Sequence, residues 1–310
     1  MRYLPAHAQH IGLRRYQQDS FGFANPDDHE FQAHGGFLSV LCDGMGGMEH
    51  GDVASAIAVR AMLDSYSRKT PAEDIPAALE RSVREANRKV IEAARRLGVS
   101  EGAGTTLVAA VTHLESLYFI SVGDSAVFHV RDGQAKMVNR AHVFANLLDQ
   151  AIASGKITEQ QAEQHPEREA LTSFIGIPNL REIDHNTEAW PLVGGDTILL
   201  ASDGMFKTLD APAMADCFTG HPRSWPHALV QATLARQKPG QDNVTVVSVT
   251  LDEGTLTEWI PSGVEQARQA DAPGTSPVPQ TSARKAWLVL AIFLVLAAIG
   301  AGGYWYFSSH

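Results

Sequence analysis

Cysteine is scarce in this chain, and its scarcity removes several protein classes at once. Cys42 and Cys217 are the only two in 310 residues. They make no C-x-x-C pair and no zinc-ligand spacing, so neither a disulfide framework nor a zinc module is expected. Two small buried hydrophobes in a reducing compartment are the plainer reading. Basic stripes are missing too. The net charge is −10, which argues against nucleic acid as a partner. No apolar run occupies residues 1–12, so no secretory signal is expected. There is no internal repeat. There is also no G-x-S-x-G elbow that would make Ser125 a nucleophile.

What the chain does have is three short acidic turns, each joined to an apolar run. Asp43-Gly44-Met45-Gly46-Gly47 follows Phe37-Leu38-Ser39-Val40-Leu41-Cys42. Asp203-Gly204 follows Leu199-Leu200-Ala201-Ser202, and Asp242-Asn243 precedes Val244-Thr245-Val246-Val247. A carboxylate at the end of a buried strand is costly unless something pairs with it. Several brought together would repel one another and raise their own pKa values. Hard divalent cations with oxygen ligands, Mg²⁺ or Mn²⁺, relieve that repulsion. Taken singly, each turn is ordinary; together they point to a metal centre. A fourth acidic turn, Gly123-Asp124-Ser125, reads most simply as a tight hairpin.

Strand patterns fall at 20–24, 36–42, 105–112, 116–122, 126–130, 197–201 and 244–250. Helical spacing falls at 52–68, 75–97, 143–154 and 222–237. Short turns between successive strands, at 113–115, 123–125 and 131–133, imply antiparallel pairing. The order is α+β rather than a repeating βαβ pattern. Residues 141–188 read as an irregular insertion, either an ordinary surface excursion or a lid beside the site. Residues 262–285 are rich in Pro, Ala, Ser, Thr and Gln, as flexible linkers are. Residues 286–307 (AWLVLAIFLVLAAIGAGGYWYF) carry no charge and reach the about 20 residues that a bilayer-spanning helix needs. Trp287 at one end and Tyr304, Trp305 and Tyr306 at the other suit the interfaces. Arg284 and Lys285 place the preceding domain on the cytoplasmic side by the positive-inside rule.

Arg14 leads into the first strand pattern, and a guanidinium there can fork two hydrogen bonds onto a phosphate. Asp19, five residues on, suits a group that orients a water at a metal. An arginine beside paired metals points to hydrolysis of a phosphate ester.

These motifs in this order resemble the PPM (PP2C-type) protein serine/threonine phosphatases, the bacterial branch in particular, over about residues 7–251. The resemblance rests on Arg14-x-x-x-x-Asp19, Asp43 to Gly47 followed by Gly51-x-x-Ala54-Ser55, and Gly104-Thr105-Thr106. It continues through Ser121 to Ser125, Leu199 to Gly204, and Asp242 to Thr245. It implies a sandwich of two antiparallel sheets flanked by helices, with a two-metal site at one edge. Asp43 would bridge the metals, Asp203 and Asp242 would complete the first position, and the Gly44 carbonyl would serve the second. Asp124, with Asp203, matches the place of a third, looser ion. Arg14 would bind the substrate phosphate, and Asp19 would hydrogen-bond water at the metals. Water, not a side chain, would be the nucleophile.

Four departures stand out: Gln17-Gln18-Asp19 where the family often has Asn-Glu-Asp or Asn-Gln-Asp, so that Gln18 supplies no carboxylate, Met48, Met45, and Ala141 in the stretch Asn139 to His142. His50 is the available proton donor to the leaving oxygen, against the plainer reading of a surface histidine. The implied protein is a metal-dependent phosphatase domain over 1–261, a linker over 262–285 and a transmembrane helix over 286–307. It would be monomeric and tethered at the cytoplasmic face of the inner membrane. Its partners would be phosphorylated proteins, among them a serine/threonine kinase or that kinase's substrates. The competing reading is a weak or inactive module that binds phosphorylated partners.

Overall fold

Alternation along the strands decides the architecture. In β3 (Phe37–Cys42), Leu38, Val40 and Cys42 join one apolar cluster and Leu41 joins another. In β10 (Thr197–Ala201), Leu199 and Ala201 enter a third cluster, while Ile198 and Leu200 enter the one that holds Leu41. Successive side chains point to opposite faces of a strand. The shared cluster is therefore the seam between two sheets, and the other two are outer faces that helices must cover.

The computed structural model describes residues 2–45, 50–99 and 103–252. They belong to one unit, Met1–Thr255. The remaining elements are β1 (Arg2–His10), β2 (Ser20–Phe23), α1 (His29–Gly35), α2 (Gly51–Tyr66), α3 (Ile75–Leu97), β4 (Leu107–His113), β5 (Ser116–Val122), β6 (Ala126–Arg131) and β7 (Gln134–Met137). They continue with α4 (Ala145–Ala153), α5 (Glu159–Glu163), β8 (Asp184–His185), β9 (Trp190–Pro191), α6 (Asp203–Phe206), α7 (Ala211–Ala215), α8 (Trp225–Ala235) and β11 (Val244–Asp252). One sheet runs β1-β11-β10-β6-β7. The other runs β2-β3-β4-β5-β8, with β9 also on β5. Every strand pair is antiparallel.

Helices α2 and α3 cover the β3–β4–β5 face through Ala58, Met62, Leu79, Val83 and Val90. Helix α8 covers the opposite outer face through Leu229 and Val230. The ends of α3 follow from its residues. The Asp74 side chain accepts from Ala77 N at 2.7 Å, Pro76 occupies the first turn, and Gly98 closes the helix at φ 72°. These are the acceptor, the pre-set φ and the left-handed stop that helix ends favour.

The expected α+β sandwich of antiparallel sheets is present, with two corrections. The turn Gly123-Asp124-Ser125 is not a hairpin. Strands β5 and β6 lie in different sheets, so the chain crosses the sandwich there and leaves Asp124 at its edge. Strand β1 was not expected at all. Among the described residues it is an edge strand, paired only with β11. Pro5, which has no N–H to donate, is tolerated at an edge but blurs the strand pattern in the sequence. The linker at 262–285 and the apolar run at 286–307 lie outside the described residues, as do Gly46, Gly47 and Met48. Among the described residues no helix is long and apolar enough to cross a membrane.

Candidate active site

The acidic turns meet at one end of the sandwich. Asp43 follows β3, Asp124 follows β5, Asp203 follows β10, and Asp242 precedes β11 by two residues. Asp19 lies just before β2. Registers explain the convergence. Ser20 pairs with Cys42, and Ala201 pairs with both Val246 and Ala126. The ends that carry the aspartates are thus neighbouring ends.

The backbone of Asp43 is fixed without its carboxylate. Its N–H donates to Thr106 Oγ1 at 3.0 Å. Its carbonyl accepts from Thr106 N at 2.9 Å and Thr105 Oγ1 at 2.8 Å. Ser125 is buried and hydrogen-bonded to Thr106 Oγ1 at 2.7 Å, so it braces this turn rather than facing a substrate. Gly44 has to be glycine because of close approach. A Cβ there would stand 2.4 Å from the Gly51 carbonyl oxygen and 2.5 Å from that of Gln18.

The electrostatics are those of a site built for cations. Burial, followed by the charges of Asp19, Asp203, Asp124 and Asp242, pushes the Asp43 carboxyl well above the usual range. Burial lifts Asp19 to about 6. The hydroxyls of Thr245 and Ser202, at 2.6 and 2.9 Å from its Oδ2, and hydrogen bonding with Asp43 pull it back. Among the described residues Asp19 Oδ1 is buried with no hydrogen-bond partner, and an orphaned buried oxygen needs an explanation. Burial and the Asp203 charge also raise Asp124. The Cys42 thiol is pushed well up by burial and by Asp43 and Asp19, so it stays inert.

Hard cations fit this set of oxygens. Asp43, Asp203, Asp242 and the Gly44 carbonyl are the groups that would hold them. Among the described residues, however, no three His, Cys, Asp or Glu groups already stand in a ligand arrangement. Two cationic side chains hold the carboxylates instead. Arg14 Nη2 donates to Asp242 Oδ2 at 2.7 Å. Lys207 Nζ lies 2.9 Å from Asp124 Oδ2 and 2.9 Å from Asp203 Oδ2.

The structure thus brings together Arg14, Asp19, Asp43, Gly44, Asp124, Asp203 and Asp242. His50 sits at the entry to α2 in the left-handed region, φ 71°. Its link to the site is the packing of the adjacent Gly51 against Gly44. Asn243 does more than its place after Asp242 suggested. Its Oδ1 accepts from Gln18 N at 2.8 Å, and its Nδ2 donates to the carbonyls of Ile11 at 2.8 Å and Tyr16 at 3.1 Å. It therefore folds the Arg14 loop onto the Asp242 turn. His142, kept in the stretch that lacks the family's Asp, accepts from Gly123 N through Nδ1 at 3.1 Å. Burial holds its imidazole below the usual pKa, which suits an acceptor. Lys207, Thr245 and Ser202 were missed. For Lys207 a signal existed: it lies four residues after Asp203, one helical turn on.

A family model described as Protein phosphatase 2C matches residues 8–242. The serine/threonine phosphatase stp of Listeria welshimeri is 30% identical over 241 residues, covering 76% of this chain and 91% of that protein. Among solved structures, the serine/threonine phosphatase of S. agalactiae aligns with a TM-score of 0.67 at 27% identity, over 81% of this chain and all of that one. The catalytic domain of the phosphatase PstP, solved in complex with two manganese ions, aligns with a TM-score of 0.63 at 25% identity. That alignment covers 81% of this chain and 99% of that one.

Proposed function

The chain belongs to the protein phosphatase 2C family and is a protein serine/threonine phosphatase; from that premise we propose that it works with two divalent cations, Mn²⁺ or Mg²⁺, gripped by its converging aspartates. The observation that carries this reading is Asp43: a part-buried carboxyl beside four others, raised well above its usual range. Asp43, Asp203, Asp242 and the Gly44 carbonyl would hold the ions. When bound, such ions supply a nucleophilic water at neutral pH and positive charge for the phosphate oxygens.

The protein's own residues do the rest. Arg14 and Asp242 are each well exposed, at 46% and 39% of the side chain. An ion pair that open to water is worth at most about 1 kcal/mol, so Arg14 can leave Asp242 for a substrate phosphate and fork two bonds onto it. Asp19, fixed by Thr245 and Ser202, holds the attacking water in line and accepts its proton. His50, next to the Gly51 backbone that packs on Gly44, gives a proton to the departing serine or threonine oxygen.

The test is phosphate release from a phosphoserine peptide by the full chain. Release is expected with Mn²⁺ and lost with chelator. Binding without turnover would instead make the chain a reader of phosphorylated partners. In the same assay His50→Ala should slow the phosphoserine peptide roughly 10²-fold, within the usual range for a proton donor. It should hardly affect an aryl phosphate, whose leaving group needs no proton. Equal loss on both substrates would remove His50 from this role.

Residues 286–307, uncharged and preceded by Arg284 and Lys285, support a tether that holds the catalytic unit at the cytoplasmic face of a membrane. There it would meet membrane-bound kinases or their substrates at raised effective concentration. Full-length protein should sediment with membranes and resist alkaline carbonate, whereas chain cut after residue 252 should stay in the supernatant. Full-length protein in the supernatant would refute the tether.

A further inference from the structure

Lys207 sits where the carboxylates of two sheets come closest to a shared cation. Its ammonium is 2.9 Å from Asp124 Oδ2 at the end of β5 and 2.9 Å from Asp203 Oδ2 at the start of α6. Glu169 Oε2, from the 141–188 segment, is 3.6 Å away. The Lys207 side chain is two-thirds buried and that of Asp124 nearly nine-tenths. Its backbone is pinned as well: Lys207 N donates to Asp203 O at 2.9 Å, and its carbonyl accepts from Lys238 Nζ at 3.2 Å.

We propose that Lys207 is a built-in cation that takes the place of a divalent ion between Asp124 and Asp203. The resemblance implied a third, looser metal at these two aspartates. An ammonium bonded to one oxygen of each occupies the position between them that such an ion would take. The two also repel, and at a given distance a divalent ion is repelled twice as strongly as a single charge. Lys207 thus replaces an exchangeable charge with a covalently tethered one. It fixes Asp203 for its role beside Asp43, and it confines divalent ions to the Asp43–Asp242 side. Lys207 is in this sense a positioning residue.

This inference rests on the metal-dependent reading above, and the experiment separates the two. Manganese bound per chain is counted by isothermal titration and by metal analysis, for the full-length protein and its variants. Lys207→Met keeps the length of the side chain and removes its charge; it should bind one ion more than wild type. Adding Asp124→Asn to that variant should remove the gained ion. Lys207→Arg keeps the charge and should match wild type, which guards against a fold lost through substitution. Equal counts in wild type and Lys207→Met would overturn the proposal, as would a gained ion that survives Asp124→Asn. Wild type that binds no manganese would sink the two-metal reading, yet the difference between the counts would still decide the role of Lys207.

Discussion

Replacing Asp43 with asparagine is expected to cut manganese-dependent phosphate release by about 10³-fold or more, with the fold intact. A thousandfold is about 4 kcal/mol of lost transition-state stabilisation. That is the scale expected when a carboxylate that holds a catalytic metal is removed. The fold should survive because none of the bonds that fix this turn uses the side chain: Asp43 N, Asp43 O, Thr105 and Thr106 make them. The carboxyl is also raised far above its usual range by burial and four neighbouring charges. In metal-free protein, asparagine then removes a charge that burial and the neighbouring carboxylates disfavour. The metal-free variant should melt no lower than metal-free wild type. Saturating Mn²⁺ should raise the Tm of wild type by linkage and leave that of the variant nearly unmoved. Activity within tenfold of wild type, or an undiminished Tm response to Mn²⁺, would show that Asp43 is not a metal ligand.

The parts of this site that could be read in sequence are those whose chemistry is local. A carboxylate at the end of an apolar run announces itself, because the apolar run fixes where the strand stops. Asp43, Asp203 and Asp242 were legible for that reason, and helix α3 was legible to the residue because both its caps lie beside it in sequence. Residues that act across the fold were not. Thr245 and Ser202 reach Asp19 from 226 and 183 positions away, and inside their own strand ends they look like ordinary hydroxyls. Asn243 has the same character: it binds carbonyls more than 220 positions earlier. The crossing at Gly123-Asp124-Ser125 was misread because a two-strand pattern with a short turn looks alike whether the strands pair or change sheets. Only the register of β6 on β10 distinguishes the two.

Replacing Gly204 with alanine should damage stability and activity together, and the sign of that outcome depends on a contest of magnitudes. Gly204 lies inside α6, where alanine ordinarily gains about 1 kcal/mol over glycine. Propensity alone therefore predicts a more stable protein. Packing predicts the opposite. A Cβ at Gly204 would stand 2.1 Å from the carbonyl oxygen of Asn243. That neighbour is backbone, so it cannot swing aside as a long side chain would. Overpacking of this kind costs up to about 3 kcal/mol, and more where backbone must shift. After the propensity gain is subtracted, a net loss of about 2 kcal/mol remains. For a domain of this size it lowers Tm by about 4–8 °C. The displaced segment is the one that matters for catalysis. Asn243 carries the bonds to Ile11, Tyr16 and Gln18 that fold the Arg14 loop, and Asp242 precedes it. Arg14 and Asp242 should both move, raising KM for phosphopeptide as well as lowering kcat. Gly98, which has open space around it at φ 72°, is the control. Alanine there should cost about 1 kcal/mol through backbone strain alone and leave KM unchanged. If Gly204→Ala matches Gly98→Ala in both Tm and KM, the close approach of α6 to the Asp242 turn is not what holds the site together.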